Sequence, residues 1–352
     1  MKELMKTVRM IYDQLQDEVS KFMFENRMLY MLTEEREYIN RIIDSLPQRQ
    51  ELDKAVEKCR QHIDEVVIWG TGNDLLILTE LYPDLGFQYL CDKNKEKQET
   101  GWRGIPVMSP EELVKKKDKV YVAINTSGFH EEILEYLLEN GFSSDRIINL
   151  GVITDSLYKS QYFDKDIINP LQEEGVFIDG GCYDCHTDQE FIKWCRGRYE
   201  KIYAFEPDEE NYEKCLEKCR KEQIKNIEIY RKGLWDSETE LSFQANMGQG
   251  SRIGEGACAE NIVKVSTAAI DSIAAQDRVT FIKLDVEGAE LKALQGAEKT
   301  IRRDRPRLAI CIYHKPEDIV EIPAYILSLH SDYKLYIRHY QMSPNETILY
   351  AI

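Results

Sequence analysis

The stretch EGVFIDGGCYDCHTDQ, residues 174–189, combines a short apolar run, a glycine turn and the start of a helix-like segment. The run Val176–Ile178 has the length and composition of a buried strand, and it ends on Asp179, Gly180 and Gly181. Glycines at a strand-to-helix turn let a ligand approach the backbone closely, and the N-terminus of a helix favours a negative group. The stretch therefore predicts one half of a nucleotide-type cofactor site.

A second apolar strand supplies the other half of this site. Ile202–Phe205 ends on Glu206 and Pro207. An acid at the end of the second strand of a βαβ unit is placed to accept hydrogen bonds from ribose hydroxyls.

Several ordered motifs resemble those of FkbM-type S-adenosylmethionine-dependent methyltransferases, and together they span roughly the last half of the chain. The motifs are Asp179-Gly180-Gly181-x-Tyr183, Phe205-Glu206-Pro207, Ile282–Glu290, Ala293-Leu294-x-Gly296-Ala297, Tyr313-His314-Lys315 and Thr347–Tyr350. One position departs from the family pattern, because the family loop commonly has a further glycine where this chain has Cys185.

The resemblance implies an α/β fold of the class I methyltransferase type, with a seven-stranded Rossmann-like sheet and S-adenosylmethionine as the cofactor. The residues that it assigns to the cofactor are Asp179, Gly180, Gly181, Tyr183, Thr187, Glu206, Pro207, Gly233, Leu234 and Asp285. A dinucleotide is the alternative, but the segment has no G-x-G-x-x-G motif.

The predicted methyltransferase domain spans 155–352 and alternates strands with helices. Its predicted core strands are Val176–Asp179, Ile202–Glu206, Ile227–Tyr230, Phe281–Asp285, Leu308–Tyr313, Tyr333–His339 and Thr347–Ile352, with extra strands near Leu241–Phe243 and Val263–Val265.

Two further regions precede this domain. Residues 1–62 show apolar residues at helical spacing and predict a helical arm that either packs as a cap or forms a homodimer or partner contact. Residues 63–154 alternate strands and helices and predict a smaller Rossmann-like accessory domain. Gly70 and Gly72 with Asp92 are half of a dinucleotide fingerprint, which leaves open a nucleotide or sugar-nucleotide site and a purely structural turn.

Methyl transfer to oxygen requires an aligned hydroxyl and a group that takes its proton. Asp285 and His314 end the fourth and fifth predicted core strands, at the edge where open α/β sheets bind ligands. We expect His314 to be the general base, because an imidazole titrates near neutral pH. Asp285 would orient the acceptor, bind the donor ammonium or accept a proton. Lys283 is either catalytic or paired structurally with Asp285 or Glu287. A divalent metal is possible through Asp285 and Glu287, but two acids do not support one.

The cysteines near the turn form a second pattern. Cys182, Cys185 and His186 spell C-x-x-C-H, which is the pattern of c-type haem attachment. A redox pair or a zinc site that also uses Cys215 and Cys219 is the other possibility. Because the latter two resemble ordinary residues of an amphipathic helix, we interpret the pattern as coincidence.

Composition limits the partners. The chain has 352 residues, 46 basic against 63 acidic, and a net charge of −17. This charge disfavours nucleic acids and anionic membranes. No apolar run approaches the roughly 20 residues of a membrane span, and the N-terminus lacks the apolar core of a signal peptide. Nine cysteines, an odd number, favour reduced thiols and a cytoplasmic location.

The resemblance implies an S-adenosylmethionine-dependent O-methyltransferase that acts on a hydroxyl of a sugar, a glycan precursor or a secondary metabolite. The alternative from another class is a non-catalytic nucleotide-binding or scaffold protein that retains the methyltransferase fold.

Overall fold

The computed structural model describes residues 2–159, 161–171, 173–244, 252–253 and 262–352. The chain forms two compact units, a larger one of residues 1–39, 161–339 and 345–352 and a smaller one of residues 40–160 and 340–344. The helices of the predicted arm, 1–62, are therefore divided between the two units.

The N-terminal region is helical, with α1 (Lys2–Gln14), α2 (Glu18–Thr33), α3 (Arg36–Asp44) and α4 (Pro47–Gln61). Helix α2 begins after Asp17, whose side chain accepts a hydrogen bond of 2.7 Å from the amide of Ser20. This bond satisfies one of the free N–H groups of the first turn. Pro47 opens α4, where its missing N–H leaves no hydrogen bond unmade.

The smaller unit contains the predicted Rossmann-like sheet. Its elements after α4 are β1 (Val66–Trp69), α5 (Asn73–Leu81), β2 (Tyr89–Cys91), α6 (Lys95–Thr100), β3 (Val107–Met108), α7 (Pro110–Val114), β4 (Tyr121–Ile124), α8 (His130–Glu139), β5 (Ile147–Asn149) and α9 (Gly151–Tyr158). The strands pair in parallel in the order β3-β2-β1-β4-β5. All four residues of β1 are buried, as expected for a parallel strand covered on both faces.

The glycine turn after β1 satisfies its own polar groups. Gly70 has a φ of +114°, and an added Cβ would lie 2.5 Å from the carbonyl oxygen of Asn125. Asp92, at the end of β2, accepts hydrogen bonds from the amide (3.0 Å) and the hydroxyl (2.5 Å) of Thr71. Asp92, the acid that would face a ribose, is thus hydrogen-bonded to the turn after β1, and this geometry suits a structural turn.

The larger unit holds the remaining elements. They are β6 (Val176–Gly180), α10 (His186–Trp194), β7 (Lys201–Phe205), α11 (Glu209–Lys221), β8 (Ile227–Tyr230), β9 (Gly233–Leu234), β10 (Glu240–Gln244), β11 (Arg252–Ile253), β12 (Ile262–Ala268), α12 (Ile270–Ile273), β13 (Val279–Leu284), α13 (Glu290–Gln295), α14 (Glu298–Asp304), β14 (Arg307–Cys311), α15 (Asp318–Leu329), β15 (Leu335–His339) and β16 (Thr347–Ala351). In the part of the chain that the structure describes, no helix has the length and apolar character needed to cross a membrane.

Seven strands of this unit form one sheet in the order β15-β16-β14-β13-β6-β7-β8. Strand β16 runs antiparallel to both of its neighbours, whereas β6, β7, β8, β13 and β14 are parallel. This is the strand order of class I methyltransferases, and it confirms the predicted fold. The chain turns to opposite sides after β6 and after β13, so the carboxyl ends of these neighbours form the switch point at which such sheets bind ligands.

Aromatic side chains fix α10 on the centre of this sheet. The rings of Phe177 on β6 and Phe191 on α10 stack with centroids 4.2 Å apart. Phe281 on β13 and Phe163 contact both of these rings. Burial of each such side chain contributes about 1.5–3 kcal/mol, so α10 is held firmly on the face of the sheet.

The two N-terminal helices of this unit cover the outer edge of the sheet. Ser20 on α2 accepts a hydrogen bond of 2.9 Å from the amide of Ile337 in edge strand β15, and Arg338 of that strand pairs with Asp17 at 2.7 Å. Gln16 donates its amide to the carbonyl of Leu335. These contacts satisfy edge groups that would otherwise be free to pair with another chain.

Candidate functional site

The turn after β6 lies against the end of β13. Gly181 has a φ of +77°, and an added Cβ would lie 1.8 Å from the carbonyl oxygen of Asp285. At Gly180 a Cβ would lie 2.7 Å from the side chain of Leu284 and 2.8 Å from that of Leu234. Gly181 requires glycine because its backbone meets that of Asp285 without room for a side chain, whereas the space beside Gly180 is filled by leucine and valine side chains.

A buried ion pair fixes the turn. The ammonium of Lys283 on β13 lies 2.9 Å from Asp179 Oδ1, and both side chains are almost completely buried. The same ammonium donates to the carbonyls of Gly180 (3.1 Å) and Gly181 (2.6 Å). Its three N–H donors thus all have acceptors within the turn. Of the two roles predicted for Lys283, this geometry suits the structural one, although its partner is Asp179 and not the acids that follow β13.

Glu206 connects the turn to the end of β7. One carboxylate oxygen accepts a hydrogen bond of 3.0 Å from the amide of Tyr183, and the other accepts one of 2.9 Å from the amide of Asp208. Burial raises the pKa of Glu206 to about 7. The bond to Tyr183 brings together the predicted ribose-binding acid and the loop predicted to hold the methionine end of the cofactor.

Further residues predicted to bind the cofactor lie next to the turn after β6 and next to Glu206. Leu234 in β9 is buried, and its side chain faces Gly180. Pro207 follows Glu206, and Thr187 is half-buried in the first turn of α10. Tyr183 is half-buried in a left-handed conformation, with a φ of +53°.

A histidine and three acids meet at the ends of β13 and β14. His314 Nδ1 lies 2.9 Å from Glu290 Oε1, and Nε2 lies 3.3 Å from Glu287 Oε2 and 3.6 Å from Asp285 Oδ1. The side chain of His314 is only 4% exposed. We call these four residues the acid–histidine cluster. The structure therefore brings His314 and Asp285 together, as the sequence predicted.

The charge of His314 differs from the expectation. Burial disfavours the charged ring, but Glu290, Glu287 and Asp285 outweigh this effect and raise the pKa of His314 to about 11. At neutral pH the ring is therefore an imidazolium, which can donate a proton but cannot accept one. The expectation of a general base rested on a ring that titrates near neutral pH, and the three surrounding carboxylates remove that premise.

The anionic form of Asp285 is stabilised from two sides. Burial opposes its charge, but Lys283 and His314 outweigh burial and lower the pKa of Asp285. Asp285 also accepts a hydrogen bond of 2.9 Å from the hydroxyl of Tyr162 and one of 3.4 Å from that of Tyr313. It is thus a charged acceptor within a ring of donors.

Some members of the site were not singled out from the sequence. Tyr313 and Glu290 lie inside recognised motifs, whereas Tyr162 lies outside them and carried no sequence signal. Tyr313 also donates to Glu346, at 3.2 Å, and burial together with Asp285 raises the pKa of Glu346 to about 7. Glu346 directly precedes the last motif, and only the fold places it beside Asp285.

The donor atoms of Asp285, Glu287 and His314 lie within 4.8 Å of one another, a spacing that a metal ion could use. Carboxylate and imidazole ligands suit a divalent ion. A metal-bound imidazole must be neutral, so an ion at this position would displace the ring proton. Without an ion, the geometry is that of a salt-bridged histidine.

The chain is similar to a known protein family and to several solved structures. Residues 179–340 match the family described as "Methyltransferase FkbM domain". Among solved structures, the chain is similar to the methyltransferase FkbM from Methylobacillus flagellatus KT, at 17% identity and a TM-score of 0.49, over 87% of this chain and 99% of that one. It is also similar to Aeropyrum pernix fibrillarin with natively bound S-adenosyl-L-methionine, at 13% identity and a TM-score of 0.34, over 56% and 72% of the two chains. Among curated proteins, none matches.

The charge of His314 can be measured directly. We expect the nitrogen chemical shifts of its ring, assigned with His314→Gln, to be those of an imidazolium throughout pH 6–9, because the folded-state pKa of about 11 exceeds the ordinary value of 6.5. The stabilisation that the charged ring contributes is complete below pH 6.5 and is lost as the pH rises towards 11. The difference in unfolding free energy between wild type and His314→Gln should shrink accordingly. A ring that titrates near 6.5 would contradict this account.

Proposed function

We propose that residues 179–340, which match the family described as "Methyltransferase FkbM domain", transfer the methyl group of S-adenosylmethionine to a hydroxyl of a sugar, a glycan precursor or a secondary metabolite. The single observation that supports this most is the placement of Glu206 and the acid–histidine cluster along one edge of the seven-stranded sheet.

The cofactor would occupy the edge between the turn after β6 and the end of β7. The ribose hydroxyls would donate to Glu206, whose two oxygens already accept backbone amides but retain further lone pairs. Gly180 and Gly181 present backbone without side chains, which allows the methionine end to approach closely. The buried side chain of Leu234 would border the adenine.

The acid–histidine cluster suits the acceptor side. A sugar hydroxyl is a good donor to a carboxylate, and Asp285 is a charged acceptor at the end of β13. Three carboxylates outnumber the one imidazolium in the cluster, and this excess of negative charge also favours a sulfonium nearby. The geometry thus provides hydrogen-bond acceptors for the hydroxyl and electrostatic attraction for the donor.

In the proposed step, a lone pair of the hydroxyl oxygen attacks the methyl carbon in line with the carbon–sulfur bond. That bond breaks, its electron pair stays on sulfur, and S-adenosylhomocysteine leaves. The hydroxyl becomes strongly acidic as the new carbon–oxygen bond forms, so a carboxylate is basic enough to take the proton. We assign this proton to Asp285, and we assign to His314 the task of balancing the carboxylate charge before the acceptor binds.

The cofactor site is tested by calorimetric titration with S-adenosylhomocysteine. Glu206→Gln should weaken binding at least about tenfold, which corresponds to about 1.4 kcal/mol, because an amide presents one acceptor atom instead of two. Because the pKa of Glu206 is about 7, wild-type affinity should rise as the pH increases from 6 to 8, and this rise should be absent in Glu206→Gln. Glu209→Gln, at an exposed residue of α11, is the matched control. Equal affinity in all three proteins would contradict the site.

The transfer step is tested with methyl-labelled S-adenosylmethionine and a panel of free sugars, nucleotide-linked sugars and polyphenols. We expect an O-methylated product, and Asp285→Asn should reduce its rate by about 10²–10⁴ because the amide does not take the proton. The control Asp332→Asn removes an exposed acid that pairs with Arg305, and it should leave the rate unchanged. Methylation at nitrogen or carbon would overturn the proposal, and cofactor binding without transfer to any acceptor would favour a non-catalytic role.

A further inference from the structure

Four buried cysteines from two segments meet beside the turn that follows β6. They are Cys182, Cys185, Cys215 and Cys219, and we call them the cysteine cluster. Cys182 Sγ lies 3.6 Å from Cys215 Sγ, and the sulfurs of Cys182, Cys185 and Cys215 all lie within 4.8 Å of one another. Cys219 interacts with the side chain of Cys185. The interpretation of Cys215 and Cys219 as ordinary helix residues did not take into account that α11 places them beside Cys182 and Cys185.

Local structure brings the thiols of Cys182, Cys185 and Cys215 to one point and places that of Cys219 against Cys185. The amide of Cys185 donates to the carbonyl of Cys182 at 2.8 Å, which closes a tight turn that places both thiols in the cluster. Cys215 and Cys219 are four residues apart on α11, so their side chains lie on the same face of the helix. The backbone between the first two thiols is fixed by the bond from Tyr183 to Glu206.

Three arrangements of these sulfurs are conceivable, and the distance of 3.6 Å between Cys182 Sγ and Cys215 Sγ excludes the first of them, a disulfide. A disulfide requires about 2.05 Å between sulfurs, and the cysteines of the cluster are not bonded to one another. A zinc–sulfur bond of about 2.3 Å in a tetrahedron places neighbouring sulfurs about 3.8 Å apart, close to the 3.6 Å observed. Isolated apolar cysteines would explain burial, but they would not explain why four thiols converge as C-x₂-C and C-x₃-C pairs.

The surroundings contain a further buried polar group. Asp188, in the first turn of α10, is completely buried, and its carboxyl group interacts with the side chain of Cys185. Buried polar groups are normally paired, and groups that donate to metal-bound ligands are a regular part of metal sites. Lys218, whose ammonium lies 3.2 Å from Asp184, brings positive charge close to the thiols.

We propose that the cysteine cluster is a tetrathiolate site that binds one Zn²⁺. Thiolates are soft ligands, and a closed tetrahedral set of four is typical of structural zinc sites. The ion would tie the turn between β6 and α10 to α11, and so would join the two segments that flank Glu206. It would also hold Cys185 in its left-handed conformation, with a φ of +57°, which a side chain rarely adopts without support.

This site is independent of the proposed methyl transfer, and its test reads metal content alone. The full chain is purified in the presence of a thiol reductant and without chelators, and its metals are measured by mass spectrometry. We expect about one Zn²⁺ per chain, and at least about a tenfold lower content in the double variant Cys215→Ser/Cys219→Ser. The control is Cys195→Ser, because Cys195 is equally buried but bonds to the carbonyl of Ile192 outside the cluster. It should retain the metal.

A second measurement on the wild-type chain guards against a double variant that does not fold. Zinc is removed with a chelator under reducing conditions and replaced with Co²⁺, which should give the intense visible absorption of a tetrahedral cobalt thiolate. Addition of Zn²⁺ should abolish this absorption by displacing the cobalt. Iron with acid-labile sulfide in the purified chain, disulfides within the cluster, or no metal together with four reactive thiols would each overturn the proposal.

Discussion

The ion pair between Lys283 and Asp179 is the interaction on which the site depends. It joins the two central strands of the larger sheet, β6 and β13, at the end where ligands bind. A buried charge of either sign is unfavourable alone, so each member requires the other. Because the ammonium also binds the carbonyls of Gly180 and Gly181, the pair sets the path of the turn. The glycines make that path possible. Glu206 fixes the next part of the loop by accepting a hydrogen bond from the amide of Tyr183.

The charge of Lys283 also acts on the acid–histidine cluster. Lys283 and His314 both stabilise the anionic form of Asp285, and Glu290, on the first turn of α13, holds His314 in its charged form. Asp285 is thus kept as a charged acceptor without any need for a neutral imidazole. This arrangement explains why a histidine at the end of a strand, which resembles a base in the sequence, has the electrostatics of a counter-ion.

The sequence predicted the features that depend on local order and missed those that depend on three-dimensional proximity. Apolar runs and glycine turns predicted both Rossmann-like sheets, and the acid after the second strand drew attention to Glu206. The pKa of His314 could not be predicted, because it depends on three carboxylates that only the fold brings around the ring. The cysteine cluster was considered and set aside for the same reason, since the helical spacing of Cys215 and Cys219 does not reveal what that face of the helix contacts.

The central claim is that the cofactor binds at the carboxyl edge of the seven-stranded sheet, between the turn after β6 and Glu206. A crystal structure of the chain with S-adenosylhomocysteine tests it most directly. The account predicts both ribose hydroxyls about 3 Å from the carboxylate of Glu206 and the amino-acid end of the ligand against Gly180 and Gly181. A ligand bound instead at the Gly70 turn of the smaller unit, or one that leaves Glu206 without a contact, would contradict the account.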